Sequence, residues 1–218
     1  RQRQMCIRDS LTARGGFRIG VCGTAVLRDG VNTNLRDISS VTIRIAREQP
    51  GLSTEVLPQL FREGSFCSTL LLAPPGLGKT TLLRSLVQKL CEGDALVSVI
   101  DERGELMACE AGSLPRAAQI RCDVYARCTK AEGIAMALRC MNPQVIVCDE
   151  LGTPGDAEAV AQGVASGVVF FATVHCDDPV GLRKKPALAA LLDTGAFAKA
   201  AFLSGRSRPG AVAQWVTL

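Results

Sequence analysis

The spacing of apolar residues changes near Phe66. Beyond that point, short continuous apolar runs such as Val145 to Cys148 alternate with segments such as Leu82 to Leu90, where apolar residues recur at helical spacing. Strands that are apolar throughout and alternate with amphipathic helices are typical of a parallel sheet covered on both faces. Residues 51–204 are therefore predicted to form one α/β domain, with a mainly parallel sheet flanked by helices.

A different pattern precedes this domain. Val41, Ile43 and Ile45 alternate with polar residues, which is typical of a strand with one buried face. Arg28-Asp29-Gly30 is a signal for a hairpin turn between two strands. Residues 15–50 are therefore predicted to form part of a small β-rich N-terminal lobe.

The two ends of the chain carry weaker patterns. The segment from Arg1 to Ser10 is basic and polar, so residues 1–14 are predicted to be unstructured or a non-native start. Residues 205–218 are predicted to be a C-terminal tail. The longest apolar run, from Gly167 to Val174, is too short to cross a bilayer, and no transmembrane segment is expected.

The stretch from Leu70 to Thr81 predicts a phosphate-binding loop, in which a short apolar strand leads into a Gly- and Pro-rich turn and then a helix. It matches the pattern G-x-x-x-x-G-K-[ST], except that Ala73 stands at the first glycine. In such a loop the backbone surrounds phosphate oxygens, Lys79 reaches the β- and γ-phosphates, and the Thr80 hydroxyl is a ligand of Mg²⁺. The predicted ATP contacts are Pro75, Gly76, Leu77, Gly78, Lys79, Thr80 and Thr81.

The apolar strand from Val145 to Cys148 is followed directly by Asp149 and Glu150. Beside a P-loop, this is the form of a Walker B strand. Asp149 is predicted to hold Mg²⁺ through water, because Mg²⁺ keeps several of its waters. Glu150 is predicted to orient and deprotonate the water that attacks the γ-phosphate. The structural alternative is a strand whose acids only cap the next loop.

Two further strands end in polar residues. Leu96 to Ile100 is followed by Asp101-Glu102-Arg103, and the run that ends at Val174 is followed by His175, the single histidine of the chain. Ligands of open α/β sheets bind at the carboxyl ends of the strands. His175 is therefore a candidate γ-phosphate sensor, Arg103 a candidate charge stabiliser from the same or a neighbouring subunit, and Glu102 a second candidate base. An ion pair with Glu102 or Glu105 is the structural alternative for Arg103.

Composition narrows the classes of function. The net charge of +4 is too small to indicate a nucleic-acid or membrane partner by itself. Aromatic residues are 4% of the chain, which argues against a surface that stacks bases. The ten cysteines have no C-x-x-C spacing, so a structural zinc site is disfavoured and a reducing, cytosolic compartment is expected.

Taken together, the motifs resemble the stage III sporulation protein AA family. The resemblance covers about residues 15–204, and Thr173-Val174-His175 is similar to the His box of secretion ATPases. Two features depart from the expected pattern. Ala73 replaces the first glycine of the P-loop, which the family itself often lacks, and His175 is followed by Cys176-Asp177 where a small Gly or Ser is expected. The segments that carry the resemblance are Phe17-Arg18-Ile19-Gly20, Leu35 to Val41, Ile43 to Glu48, Asp101-Glu102-Arg103, Lys130-Ala131-Glu132-Gly133 and Asp149-Glu150-Leu151-Gly152.

This resemblance implies a RecA-like P-loop NTPase core, similar to type II and type IV secretion ATPases, that hydrolyses ATP with Mg²⁺. It implies a homo-oligomeric ring, for which a hexamer is one form, and membrane-associated sporulation channel proteins as partners. The expected location is the cytoplasm, with a peripheral position at the inner face of the membrane as a further option. The family has a longer N-terminal region, so the chain is expected to be an N-terminally truncated fragment.

Two other classes of function stay open at this point. A nucleic-acid-associated RecA-like ATPase would use the basic residues of the N-terminal lobe to bind DNA or RNA. A scaffold that binds ATP without hydrolysing it would not need both Walker B acids, and Asp149 and Glu150 are both present. The motor or assembly ATPase is the leading hypothesis.

Overall fold

A computed structural model describes residues 11–13, 17–44, 51–107, 120–176, 183, 186–203 and 208–218. The chain divides into two compact units, residues 1–47 and residues 48–218. The domain boundary after residue 50 stays a prediction.

The first unit contains a three-stranded antiparallel sheet in the order β1-β2-β3. Its strands are β1 (Leu11–Ala13), β2 (Phe17–Arg28) and β3 (Val31–Arg44). Asp29 and Gly30 form the turn between β2 and β3 with φ angles of +52° and +76°, the left-handed region that tight hairpin turns use. The predicted hairpin is therefore confirmed, whereas the prediction that residues 1–14 lack structure is wrong for β1.

The apolar residues of β3 are less covered than the alternation predicts. Val41 and Ile43 lie opposite Val21 and Ile19 of β2, so these apolar residues share one face of the hairpin. Val41 is 54% exposed and Ile43 is 58% exposed. The face that we expected to be buried is therefore left open by the described residues.

The second unit is built on a seven-stranded sheet in the order β12-β11-β6-β10-β9-β7-β8. All neighbouring pairs are parallel except β11 and β12, so the predicted, mainly parallel sheet is confirmed. Its strands are β6 (Thr69–Ala73), β7 (Val97–Asp101), β8 (Asp123–Ala126), β9 (Val145–Cys148), β10 (Val169–His175), β11 (Lys199–Leu203) and β12 (Val212–Thr217). Two short strands, β4 (Phe61–Arg62) and β5 (Ser65–Phe66), form a separate hairpin.

Helices connect and cover these strands. They are α1 (Leu52–Val56), α2 (Lys79–Cys91), α3 (Lys130–Cys140), α4 (Pro154–Ala165) and α5 (Pro186–Asp193), with a 3₁₀ turn at Leu57–Leu60. Capping boxes that start at Thr129 and Thr153 fix the beginnings of α3 and α4. In the parts of the chain that the structure describes, no helix combines the length and apolarity needed to span a membrane.

Successive residues of the central strands point into two separate apolar layers. Ile146 and Cys148 of β9 belong to the layer that contains α3, α4 and α5, whereas Val145 and Val147 belong to the layer that contains α2. Burial on both faces explains why β9 is apolar at every position. Because the strands from β6 to β11 run parallel, their carboxyl ends lie along one edge of the sheet, where α2 begins.

The C-terminal residues correct one prediction. Instead of ending in a tail over residues 205–218, the chain returns to the sheet as β12, which pairs antiparallel with β11. Trp215 packs against the layer that contains α2. β12 is an edge strand with half-exposed residues, so its apolar pattern is too weak to predict a strand from the sequence.

Candidate active site

The loop between β6 and α2 has the backbone of a phosphate-binding turn. Gly76 and Gly78 have φ angles of +80° and +88°, which glycine adopts without the steric cost that other residues carry. Gly78 is the N-cap of α2 and brings no side-chain hydrogen bond to the helix start. The first N–H groups of α2 thus lack a side-chain cap, and an uncapped helix start at a glycine-rich loop suits an anion.

A turn at Pro209 and Gly210 packs directly against this loop. The Gly210 N–H donates to the Leu77 carbonyl at 2.8 Å. A Cβ added to Gly78 would lie 2.6 Å from Gly210 N and 2.8 Å from the Pro209 carbonyl carbon. Glycine is therefore required at position 78 both by its backbone conformation and by the close approach of Pro209 and Gly210. These two residues lie in the segment that was predicted to be a C-terminal tail.

Lys79 lies inside the loop and is 5% exposed. Its Nζ donates to the carbonyls of Ala73 and Pro74 at 2.8 and 2.9 Å, and it lies 3.0 Å from His175 Nδ1. An ammonium group carries three N–H donors, so these contacts hold the group in one place. The residue at the first glycine of the pattern, Ala73, contributes through its carbonyl, which any residue could supply.

Asp149 follows β9 and accepts hydrogen bonds at both carboxylate oxygens. Thr80 Oγ1 of α2 donates to Oδ2 at 2.8 Å, and Thr173 Oγ1 of β10 donates to Oδ1. Burial raises the pKa of Asp149 above its ordinary value, while the hydrogen bonds from Thr173 and Thr80 act in the opposite direction. A cation beside this carboxylate would favour its ionised form.

The pair of Thr80 and Asp149 fits the chemistry of Mg²⁺. Both offer hard oxygen atoms, and the two atoms concerned are 2.8 Å apart. Mg²⁺ is usually held by one or two carboxylates together with phosphates and water, and seldom by a cage of protein ligands. No group of three or more His, Cys, Asp or Glu suited to a metal occurs among the described residues.

Glu150 has an unusual backbone conformation and two side-chain partners. Its φ angle is +52°, in the left-handed region that residues other than glycine seldom adopt. Its Oε2 lies 2.5 Å from Arg103 Nη1, and its Oε1 lies 3.0 Å from His175 Nε2. The ion pair expected as the structural alternative for Arg103 does form, but with Glu150 instead of Glu102 or Glu105.

His175 connects the two halves of the site. Its Nδ1 faces Lys79 Nζ and its Nε2 faces Glu150 Oε1, both at 3.0 Å. A neutral imidazole that carries its proton on Nε2 satisfies both contacts, because Nδ1 then accepts from the ammonium group and Nε2 donates to the carboxylate. The strand end thus links the P-loop lysine to the candidate base.

The loop after β7 is folded by two residues that sequence analysis did not single out as a pair. Asp101 is 2% exposed, and its carboxylate accepts from the backbone N–H groups of residues 105, 106 and 107 at 2.8, 3.1 and 2.8 Å. Arg84 of α2 donates to the carbonyls of Glu105 and Leu106 at 2.6 and 2.8 Å. These contacts fix the loop that carries Arg103.

Glu102 lines the same cleft but has a different partner. Its carboxylate forms an ion pair with Lys130 at the start of α3, a lysine whose side chain is 10% exposed. Glu102 is therefore held by one cationic partner, and its side chain is 37% exposed, compared with 27% for Glu150. The cleft is lined by Asp101, Glu102, Arg103, Glu105, Lys130, Asp149 and Glu150.

The structure therefore brings the predicted site residues together at the carboxyl edge of the sheet. His175 contacts both Lys79 and Glu150, and Thr80 contacts Asp149. Their roles in binding or chemistry stay predictions. Sequence reasoning assigned no role to Arg84, Lys130 or the hydroxyl of Thr173. Lys130 and Thr173 do lie in segments that carry the family resemblance, which was the available signal for them.

The fold is similar to that of two solved structures, an ATPase and a pilus retraction motor. The chain superposes on the ATPase DotB of Legionella pneumophila with a TM-score of 0.60 at 16% identity, over 92% of this chain and 57% of that one. It superposes on the pilus retraction motor PilT with bound ADP with a TM-score of 0.55 at 16% identity, over 88% of this chain and 57% of that one. At these identities the likeness concerns the fold, and the chain spans little more than half the length of either structure.

The sequence identifies the family. The chain belongs to the family described as sporulation stage III, protein AA, whose sequence profile matches residues 5–216. It is 36% identical over 209 residues to the stage III sporulation protein AA of Bacillus subtilis (strain 168), an alignment that covers 94% of this chain and 68% of that protein.

Proposed function

We propose that the chain binds ATP with Mg²⁺ and hydrolyses it, as a motor or assembly ATPase of a secretion-like complex in endospore formation. The observation that carries this proposal is the contact between Thr80 Oγ1 and Asp149 Oδ2 at 2.8 Å. It joins the helix that follows the glycine-rich loop to the acidic end of β9. A loop for phosphate and a pair of oxygen ligands for Mg²⁺ thereby meet at one place.

Binding begins with the phosphates at the glycine-rich loop. The uncapped start of α2 and the loop backbone offer N–H donors to phosphate oxygens. Lys79 exchanges its contacts with the two loop carbonyls for the β- and γ-phosphates, since charge-assisted hydrogen bonds to phosphate are stronger than those to neutral carbonyls. Thr80 and Asp149 are the residues that would hold Mg²⁺, whose charge would offset that of the phosphates.

Hydrolysis requires a proton acceptor beside the attacking water. Glu150 serves as this general base: it takes a proton from water while the water oxygen attacks the γ-phosphorus, and ADP leaves with the electrons of the broken bond. His175 and Arg103 hold the two oxygens of the Glu150 carboxylate. The side chain of Arg103 is 57% exposed, so it can move from the carboxylate to the charge that develops on the phosphate.

The proposal extends to assembly by way of family membership. We propose that the chain acts in a homo-oligomeric ring that engages membrane-associated sporulation proteins from the cytoplasmic side. The support is the family to which the chain belongs and the fold that it shares with a pilus retraction motor. The chain covers 68% of the Bacillus subtilis relative, so ring formation should be tested on the full-length protein.

Nucleotide binding is tested by one matched pair of lysine variants. Lys79→Ala should weaken binding of a fluorescent ATP analogue by about a hundredfold or more, because it removes a charge-assisted phosphate contact in a buried loop. Lys89→Ala is the control, since Lys89 lies on the same helix and forms an exposed ion pair with Glu92. Equal affinities of the folded Lys79→Ala and Lys89→Ala variants would overturn the P-loop assignment.

A further inference from the structure

Thr173 is a polar residue that is completely buried within β10, at 0% exposure. Ala172 pairs with Cys148 in the parallel register of β10 and β9, so the next residue of each strand, Thr173 and Asp149, lie side by side beyond the last pair. The Thr173 hydroxyl donates to Asp149 Oδ1 and accepts from the Glu150 N–H at 2.8 Å. One hydroxyl group thereby contacts both acids of the Walker B pair.

The backbone of Thr173 adds a further contact on the other side of Glu150. Its carbonyl accepts from the Leu151 N–H at 2.9 Å. Two consecutive N–H groups, those of Glu150 and Leu151, are thus held by the same residue. A chain that continued in the extended direction of β9 could not present both groups to Thr173.

These contacts account for the backbone strain at Glu150. A φ angle of +52° is unfavourable for a glutamate, and residues in such regions persist only where the surrounding structure determines them. The two hydrogen bonds from the Glu150 and Leu151 N–H groups to Thr173, which we call the clamp, hold Glu150 in this conformation. The clamp turns the chain out of the strand at Glu150, which leaves the carboxylate between Arg103 Nη1 and His175 Nε2 at 2.5 and 3.0 Å.

We propose that Thr173 is the positioning residue of the proposed hydrolytic site, and that its hydroxyl orients Asp149 and Glu150 together. A hydroxyl suits this place because it both donates and accepts. The carboxylate of Asp149 can only accept, so it takes the hydroxyl proton and turns a lone pair of Oγ1 toward the Glu150 N–H. A change at this one oxygen therefore disturbs both acids at once.

The proposal predicts a separation of binding from chemistry. Among the described residues, the side-chain hydrogen bonds of Thr173 go to Asp149 and Glu150, and none goes to the glycine-rich loop. Loss of the hydroxyl should therefore lower the rate of hydrolysis by a much larger factor than the affinity for Mg·ATP, to which Asp149 contributes only through the metal ion. This part of the inference rests on the proposed function, whereas the clamp itself does not.

The clamp is tested first, on the protein without nucleotide, by hydrogen exchange of the Glu150 and Leu151 amides. In Thr173→Val the amide of Glu150 should exchange about tenfold faster or more, as expected for loss of one buried hydrogen bond. Thr173→Ser keeps the hydroxyl and should exchange at the parent rate. Thr69→Val is the control, because Thr69 is also buried in this sheet but donates to the Cys67 carbonyl away from the site. Unchanged exchange at Glu150 in a folded Thr173→Val or Thr173→Ala variant would overturn the clamp.

Steady-state kinetics of the same variants test the catalytic consequence. Thr173→Val should lower kcat by about a hundredfold while KM for ATP stays within about threefold, since the hydroxyl acts through groups that work in the transition state. Thr173→Ser should recover kcat to within about threefold of the parent. A rise in KM alone, or a serine variant as slow as the valine variant, would overturn the positioning role. Absence of turnover in the parent protein would instead contradict the proposed function, and the exchange measurement would still decide the clamp.

Discussion

Arg103 Nη1 lies 2.5 Å from Glu150 Oε2 within one chain. The side chain of Glu150 is 27% exposed and that of Arg103 is 57% exposed, and both residues line the cleft. An arginine at this distance orients the carboxylate, but its positive charge also makes the carboxylate a weaker acceptor for the proton of the attacking water. We therefore expect Arg103 to leave Glu150 for the γ-phosphate as the transition state forms.

The first prediction concerns the catalytic contribution of Arg103. Arg103→Ala should lower kcat by about ten- to a hundredfold and leave ATP affinity within about threefold, because an arginine that acts on the transition state changes the rate more than ground-state binding. Arg139→Ala is the control, since Arg139 is an exposed residue in the last turn of α3. A variant with normal kcat would show that the ion pair is structural only.

Mixing experiments distinguish an arginine of the same subunit from one supplied by a neighbour. The contact between Arg103 and Glu150 in one chain predicts that Arg103 acts in its own subunit. Arg103→Ala and Glu150→Gln proteins, mixed under conditions in which they co-assemble, should then show no recovery of turnover. Partial recovery would mean that Arg103 completes the site of a neighbouring subunit.

The second prediction concerns the packing of the C-terminal turn on the P-loop. Gly78→Ala should destabilise the fold by about 2–4 kcal/mol, because it combines a left-handed backbone with a clash against Pro209 and Gly210. Gly76→Ala has a similar φ angle of +80° but no atom within 4 Å of the added Cβ, so it should cost about 1–2 kcal/mol. Chemical denaturation measures both. Equal losses would show that the turn at 209–210 does not constrain the loop.

The third prediction follows from the buried carboxylate of Asp149. Burial raises its pKa, so the folded protein binds this proton more tightly than the unfolded chain does. The free energy of unfolding therefore falls as pH rises from the unfolded pKa through the raised folded pKa, and the loss is constant above it. Asp149→Asn cannot ionise and escapes this loss.

Thermal melts in buffer without Mg²⁺ measure this effect. Asp149→Asn should melt above the parent at a pH above the raised folded pKa of Asp149, and the difference should shrink as the pH falls and the parent carboxylate takes up its proton. Mg·ADP should raise the melting temperature of the parent more than that of the variant. A difference that does not change with pH would contradict burial as the cause.

The sheet of the second unit is largely predictable from the sequence because its central strands are buried on both faces. Val145 to Cys148 is apolar at every position, and the structure gives β9 those same bounds. The P-loop is equally local, since Lys79 and Thr80 are neighbours in the chain. The pattern of β12 is weak because an edge strand is only half covered, and its partner β11 cannot be deduced from local spacing.

The contacts between strand ends could not be predicted in the same way. The pairing of Arg103 with Glu150 depends on β7 lying beside β9, and the contact of Thr173 with Asp149 depends on β10 lying on the other side. Apolar spacing along a strand carries no information on which strand is its neighbour. Glu102 and Glu105 were the partners expected for Arg103 because they are near it in sequence. This expectation was wrong, because Arg103 pairs with Glu150 at the end of the neighbouring strand.

The proposal that Glu150 is the general base of an ATPase is tested most directly by Glu150→Gln. The amide keeps the size of the side chain but cannot accept the proton, so phosphate release should fall by about a hundredfold or more while the affinity for Mg·ATP stays within about threefold. Glu158→Gln, at an exposed position of α4, is the matched control. Turnover by Glu150→Gln within a few-fold of the parent would contradict this role and make Glu102 the residue to test next.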